Sequence, residues 1–192
     1  MAKSELEYAS MTTLNAIRKQ GPCEDGWSTL LSFLGKTKAD DEPLSVKTIL
    51  ESNGLIEALW VLDFAVQDNR LARHFQAWCA ARAMRIFKDE RPSDIRVISQ
   101  IIMLSMDDAT DEERALSRAW AEDAERDEGR ANGLGIGYVA MAAFEKTAWQ
   151  GALWAQYAAS DRSIHENDYS ERIREIYAQR AQLEKMLAQV KA

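Results

Sequence analysis

Residues 168–190 read DYSERIREIYAQRAQLEKMLAQV. Tyr169, Ile173, Ile176, Arg180, Leu183, Leu187 and Val190 recur there at intervals of 4, 3, 4, 3, 4 and 3. An α-helix turns once in 3.6 residues, so these intervals collect side chains on one stripe, the seam of a helix packed on another helix. Arg180 interrupts the apolar series, but its aliphatic stem can cover apolar surface while the charge reaches water. The spacing predicts a terminal helix from about Asp168 to Val190. Ile173, Ile176, Leu183 and Leu187 are expected in the main core or in a homomeric seam.

The same period recurs upstream. From Asp68 or Asn69 to Lys88 the residues Leu71, Phe75, Trp78, Cys79, Ala83, Ile86 and Phe87 share a face. Thr110-x-x-Glu113 has the capping-box pattern and predicts a helix start at Asp111. That tract extends toward Ala159 and is expected to be interrupted near Gly129–Gly137. Gly133, Gly135 and Gly137 would together cost on the order of 3 kcal/mol inside a helix, which points to a bend or close crossing within a helical hairpin. Ala140, Phe144, Ala148 and Gly151 continue a stripe of small and aromatic residues. Ser93 to Met106, entered at Arg91-Pro92, carries Ile95, Ile98, Ile101, Ile102 and Met103. Helix is the reading there, with a buried strand as its alternative.

Toward the N-terminus, Ser4–Lys19 is expected as a helix carrying Leu6, Tyr8, Met11, Leu14 and Ile17 and stopped by Gly21-Pro22. Glu24–Leu34 follows and ends at Gly35. Residues 36–43 form a polar loop, Ser45 caps a short helix with Val46, Ile49 and Leu50 inward, and Ser52-Asn53-Gly54 ends it. Leu55–Val66 restarts with Leu55, Leu59, Leu62 and Val66 on one stripe. Residues 161–167 are the last connection.

Composition agrees with the pattern. The 192 residues include 29 alanines but only 25 Val, Ile and Thr combined. Alanine loses no side-chain entropy in a helix and lets helices approach closely. The fold expected is all-α, a compact multi-helix orthogonal or bundle-like domain with a long C-terminal helix. It is read as one domain over 1–192, with an N-terminal lobe, 1–66, packed on 67–192 as a finer division. No apolar run reaches the roughly 18 residues of a membrane span and no secretory leader is evident, so a cytoplasmic protein is expected.

Residue chemistry argues against a catalytic reading. Gly35-Lys36-Thr37 resembles part of a phosphate loop, but position 30 is leucine where that loop needs glycine, and the preceding segment reads as helix. His74 and His165 lie far apart without metal-ligand spacing. Cys79 falls on an apolar face, and Cys23 has no base beside it. No catalytic, metal or cofactor-binding residue is expected. Trp27, Trp60, Trp78 and Trp149 read as core, and Trp120 or Trp154 as candidates for an outer face. The chain carries a formal charge of -7, and residues 107–128 alone hold ten acidic and three basic side chains. Such a field favours encounter with a basic protein surface, or imitation of nucleic-acid phosphates, and disfavours direct nucleic-acid binding. The candidate partner-binding residues are Asp107, Asp108, Asp111, Glu112 and Glu113, with Asp40, Asp41 and Glu42 as a second rim.

The stretch IRKQGPCEDGWSTLLSFLGKTKADDEPLSVKTILESNGLIEALWVL (17–62) resembles a family of small helical bacterial and phage proteins described as immunity proteins. LARHFQAWCAARAM (71–84), the acidic DDATDEERALSRAW (107–120) and the alanine-rich tract after it are similar to that family too, so the likeness covers about 14–160 and part of the terminal helix. The chain departs in having fewer uninterrupted alanines and the glycine cluster at 133–137. The resemblance implies a non-enzymatic protein that neutralises a toxin by binding it. Alternatives are a phage accessory protein blocking a host defence complex, a homo-oligomeric scaffold using the C-terminal helix, and an enzyme of unknown class.

Overall fold

The computed structural model describes residues 10–86, 94–130, 134–161 and 170–189. Leu6, Tyr8, the Arg91-Pro92 break, residues 162–167, Tyr169 and Val190 lie outside these, as do the side chains of Ile86 and residues 128–137. The described chain is all-α apart from one two-stranded ribbon. Its elements are β1 (Met11–Thr12), α1 (Leu14–Lys19), α2 (Glu24–Leu34), β2 (Leu44–Ser45), α3 (Val46–Asn53), α4 (Leu55–Phe64) and α5 (Arg70–Ile86). There follow α6 (Ile95–Ser105), α7 (Asp111–Arg130), α8 (Leu134–Phe144), α9 (Ala148–Asp161) and the long α10 (Ser170–Leu187). No described helix is long and apolar enough to cross a membrane.

The chain divides into two units, Met1–Ala72 with Ala181–Ala192, and Arg73–Arg180. The divisions fall inside α5 and α10.

In the first unit the predicted helix over 4–19 is shorter than expected. Thr13 is its N-cap and accepts from the Ala16 N–H at 3.1 Å, so the helix begins at Leu14. Met11 and Thr12 instead pair antiparallel with Ser45 and Leu44, and the Thr12 hydroxyl donates to the Ala65 carbonyl at 2.6 Å. The ribbon buries Thr12 with its hydroxyl bonded, and the Thr13 cap starts the helix just after it. The other boundaries match the sequence reading. Gly35 closes α2 in the left-handed region, with the Lys36 N–H donating to the Leu31 carbonyl at 2.9 Å. This helix-ending motif accounts for Gly35-Lys36-Thr37 without a phosphate. Ser45 caps α3, and Gly54, at φ +92, separates α3 from α4. Leu14, Ile17, Val46, Ile49, Leu50, Leu59, Leu62, Leu71 and Leu183 are fully buried.

The second unit is built differently, from small residues. Ala121, Ala124, Ala140, Ala142, Ala143, Ala152, Ala155 and Ala158 are at most 1% exposed. The tract after Asp111 folds into consecutive packed helices α7, α8 and α9, with residues 145–147 outside helix between α8 and α9, while the break expected at the glycine cluster falls on residues 131–133, outside the described ones. The closest approach is at Gly151, where a Cβ would stand 2.8 Å from the Ala142 carbonyl oxygen and 2.8 Å from Gln76 Cγ. Buried glutamines tie this core. Gln76 Nε2 donates to the carbonyls of Ala142, Ala143 and Glu145, at 3.2, 3.4 and 2.8 Å, and Gln100 Nε2 to that of Ala143 at 3.3 Å. These are carbonyls that the end of α8 leaves without helical partners.

α6 is helical, as favoured over the strand, but its buried residues are Val97, Gln100 and Leu104, while Ile95 and Ile102 are exposed. The α10 stripe also differs from the heptad expectation. Leu183 and Leu187 are buried, yet Ile173 and Ile176 are exposed, and Glu175 and Gln179 take the inward positions. Gln179 donates to the Ala152 carbonyl at 3.0 Å and accepts from Gln156 Nε2 at 2.8 Å. Glu175 meets Arg82 Nε at 2.6 Å.

Candidate functional site

The connection between α6 and α7 places the first group of acidic candidates. Its backbone is held from two sides. Arg73 Nη1 donates to the carbonyls of Leu104 and Met106 at 2.8 and 3.2 Å, and Arg114 Nη2 donates to Met106 O at 2.9 Å. Two guanidinium groups thus satisfy carbonyls at a helix C-terminus, where a cation is also favoured by the helix dipole. Asp107 lies on the same cluster, its Oδ1 3.4 Å from Arg73 Nη2 and 3.1 Å from His74 Nε2. Part of its charge is therefore committed to α5.

The capping box closes as the spacing predicted. The Thr110 N–H donates to Glu113 Oε2 at 2.8 Å, and the Glu113 N–H donates to Thr110 Oγ1 at 3.2 Å. The hydrogen bonds from the Thr110 backbone and hydroxyl hold the Glu113 carboxyl below its ordinary pKa. Asp111 pairs with Arg114 at 3.4 Å. Asp108, Asp111 and Glu112 are exposed, and Asp111 and Glu112 in the first turn of α7 also meet the helix dipole favourably.

Asp40, Asp41 and Glu42 lie in the other unit. Lys36 Nζ sits between Asp40 Oδ2, at 2.5 Å, and Glu42 Oε2, at 2.7 Å. The Glu42 N–H donates to Asp40 Oδ1 at 3.2 Å. These bonds lower the Asp40 pKa and raise that of Lys36. One lysine serves both carboxylates, so this rim offers less free charge than residues 107–113. Asp41 is exposed.

Large apolar side chains stand beside the first acidic group. Leu116 is 58% exposed and Trp120 51%. α7 buries Ser117, Ala121 and Ala124 instead. Small residues on the inward face let α7 pack closely, which leaves the bulky ones outside. On a helical wheel Glu112, Leu116, Ala119, Trp120, Asp123 and Asp127 fall on one outward stripe. The sequence alone offers Trp120 as an outer-face candidate and does not single out Leu116. The signal was available in the small-residue spacing at 117, 121 and 124.

Of the other tryptophans, Trp27, Trp60, Trp78 and Trp149 are partly buried, and Trp154 stacks on Tyr138 at 5.6 Å. Trp154 Nε1 also donates to Glu145 Oε1 at 2.7 Å. Cys79 is fully buried, and desolvation pushes its thiol pKa up, the opposite of nucleophile activation. A cleft of about 210 Å³ is lined by Arg82, Arg85, Glu171, Arg174 and Glu175. Arg82 is bonded to Glu175 and Arg174 to Glu171. Among the described residues no cluster of His, Cys, Asp or Glu is placed to hold a metal ion.

No protein-family model, curated protein or solved structure matches the chain.

Proposed function

We propose that this is a non-enzymatic binding protein that neutralises or blocks a basic protein partner, as an immunity or inhibitor protein does. The single observation behind the reading is the acidic start of α7, where Asp108, Asp111 and Glu112 are exposed, Asp111 with one carboxylate oxygen on Arg114. Opposite charge across such a surface speeds encounter and screens with salt. A phage accessory protein directed at a host defence complex would use the same surface, and the partner's identity separates the two.

The test is affinity capture from the native host, followed by association rates measured against ionic strength. Asp108→Asn, Asp111→Asn and Glu112→Gln together should slow association and flatten its salt dependence while leaving the circular dichroism unchanged. Asp107 and Glu113 stay in place because they hold the α6–α7 connection and the cap. Unchanged association by the triple variant would overturn the reading.

Self-association through α10 is a second reading, supported by exposed Ile173, Ile176 and Tyr177. Light scattering on wild type and Ile173→Ser/Tyr177→Ser tests it. Loss of a dimer in the variant is the expected result.

A further inference from the structure

The polar half of the α7 stripe explains attraction to a basic surface but not why Leu116 and Trp120 face outward. An exposed apolar pair rimmed by charge is the usual composition of an interface centre, and tryptophan is over-represented among the residues that dominate binding. The neighbouring helix extends this patch. Arg96 Nη1 on α6 pairs with Asp127 Oδ2 on α7 at 2.8 Å, and Arg114 on α7 reaches the Met106 carbonyl just after α6. These two links run α6 and α7 antiparallel as neighbours. Ile102 on α6 is likewise exposed, at 49%. The buried faces of both helices point elsewhere, since Gln100 of α6 bonds α8 and the small residues of α7 are enclosed.

Exposed apolar side chains thus stand on two adjacent helices, Ile102 on α6 and Leu116 and Trp120 on α7. Acidic residues close both ends, with Asp108 and Glu112 at one and Asp123 and Asp127 at the other. Glu112 to Asp127 spans about 22 Å along the helix axis, some four turns. We infer that this face takes a cationic amphipathic helix of the partner, its apolar side chains on Ile102, Leu116 and Trp120 and its lysines or arginines toward the acidic ends. The length suits one short helix, and the charge order along α7, acidic–apolar–acidic, is complementary to a helix with apolar residues flanked by basic ones. Asp123 and Asp127 already contact Arg126 and Arg96, so the partner's cations compete there for shared carboxylates. The inference rests on the protein-binding reading above and names the chemistry of the partner.

A synthetic peptide of about 18 residues tests it, with leucines at i, i+3, i+4 and i+7 and lysines elsewhere. A shuffled peptide of the same composition, its leucines spread around the helix, is the control. The full-length protein should bind the first peptide saturably, one to one. The shuffled peptide should bind about tenfold more weakly or worse, and so should Leu116→Ser/Trp120→Ser against the first peptide. Both replaced residues are exposed, so circular dichroism and melting temperature should be preserved. Equal binding of the two peptides, full binding by the variant, or no saturable binding would each overturn the inference. A wild-type dimer that the variant converts to monomer would overturn it too, by making a second copy the occupant. If the triple acidic variant loses salt dependence while Leu116→Ser/Trp120→Ser binds normally, the basic-partner reading stands and this inference alone fails. The converse pattern leaves the apolar anchor standing without the acidic surface.

Discussion

Gly151 shows how much one hydrogen in place of a methyl group can decide. Alanine is the better helix former by about 1 kcal/mol, so propensity alone favours Gly151→Ala. The added Cβ would meet a backbone carbonyl and Gln76 Cγ, each at 2.8 Å, and the carbonyl belongs to the last turn of α8. Overpacking of that kind costs about 1–3 kcal/mol, so Gly151→Ala should lower the melting temperature despite its propensity gain. Thr110 is a second decisive residue. Thr110→Ala removes the cap of α7 and should cost about 1 kcal/mol in denaturant unfolding. Its partner Glu113 has a folded-state pKa below the ordinary value. The charged form is therefore the one folding favours. Its contribution is fully present above the unfolded-state pKa and fades as pH falls through the depressed folded value. The stability gap between wild type and Glu113→Gln, followed by thermal melts from neutral pH downward, should accordingly narrow in acid. A gap that widened would contradict the assignment.

At the scale of the element, α10 separates helix formation from burial. Its periodicity made a helix certain, but the residues turned inward in its N-terminal half are Glu175 and Gln179 rather than Ile173 and Ile176. Arg82 and Gln156 are the reason, because a polar group can be buried once its bonds are made. Leu183→Asp should cost about 2–5 kcal/mol, since it opens a cavity and buries a charge. Ile173→Ser should stay within about 0.5 kcal/mol in the same urea titration. Gln179→Ala belongs between them, near 1–3 kcal/mol, because it strands the Ala152 carbonyl and Gln156 together. Equal losses for Leu183 and Ile173 would mean that the seam is buried along its whole length.

For the whole molecule the two cysteines report opening. Cys23 is exposed at the start of α2, whereas Cys79 is enclosed and its thiol pKa raised by desolvation. Native protein should show one thiol reacting promptly with a disulfide reagent. The second should react only as fast as the surrounding helices open, with urea accelerating it. Prompt reaction of both would place Cys79 outside a stable core.

The sequence by itself determined the all-α class, most helix boundaries, the capping box at Thr110–Glu113 and the glycine stops at Gly35 and Gly54. All of these depend on interactions within a few residues, which period and cap chemistry encode directly. It also located the acid-rich segment, because charge can be counted without knowing the fold. Tertiary structure decided which way each helix faces. Thr12 left the helix for a ribbon because distant partners, Leu44, Ser45 and Ala65, offered it better bonds. Glu175 and Gln179 went inside because Arg82, Gln156 and the Ala152 carbonyl bond them there, and Leu116 and Trp120 stayed outside because α7 packs through Ser117, Ala121 and Ala124. That choice depends on neighbours far along the chain, which no local period contains.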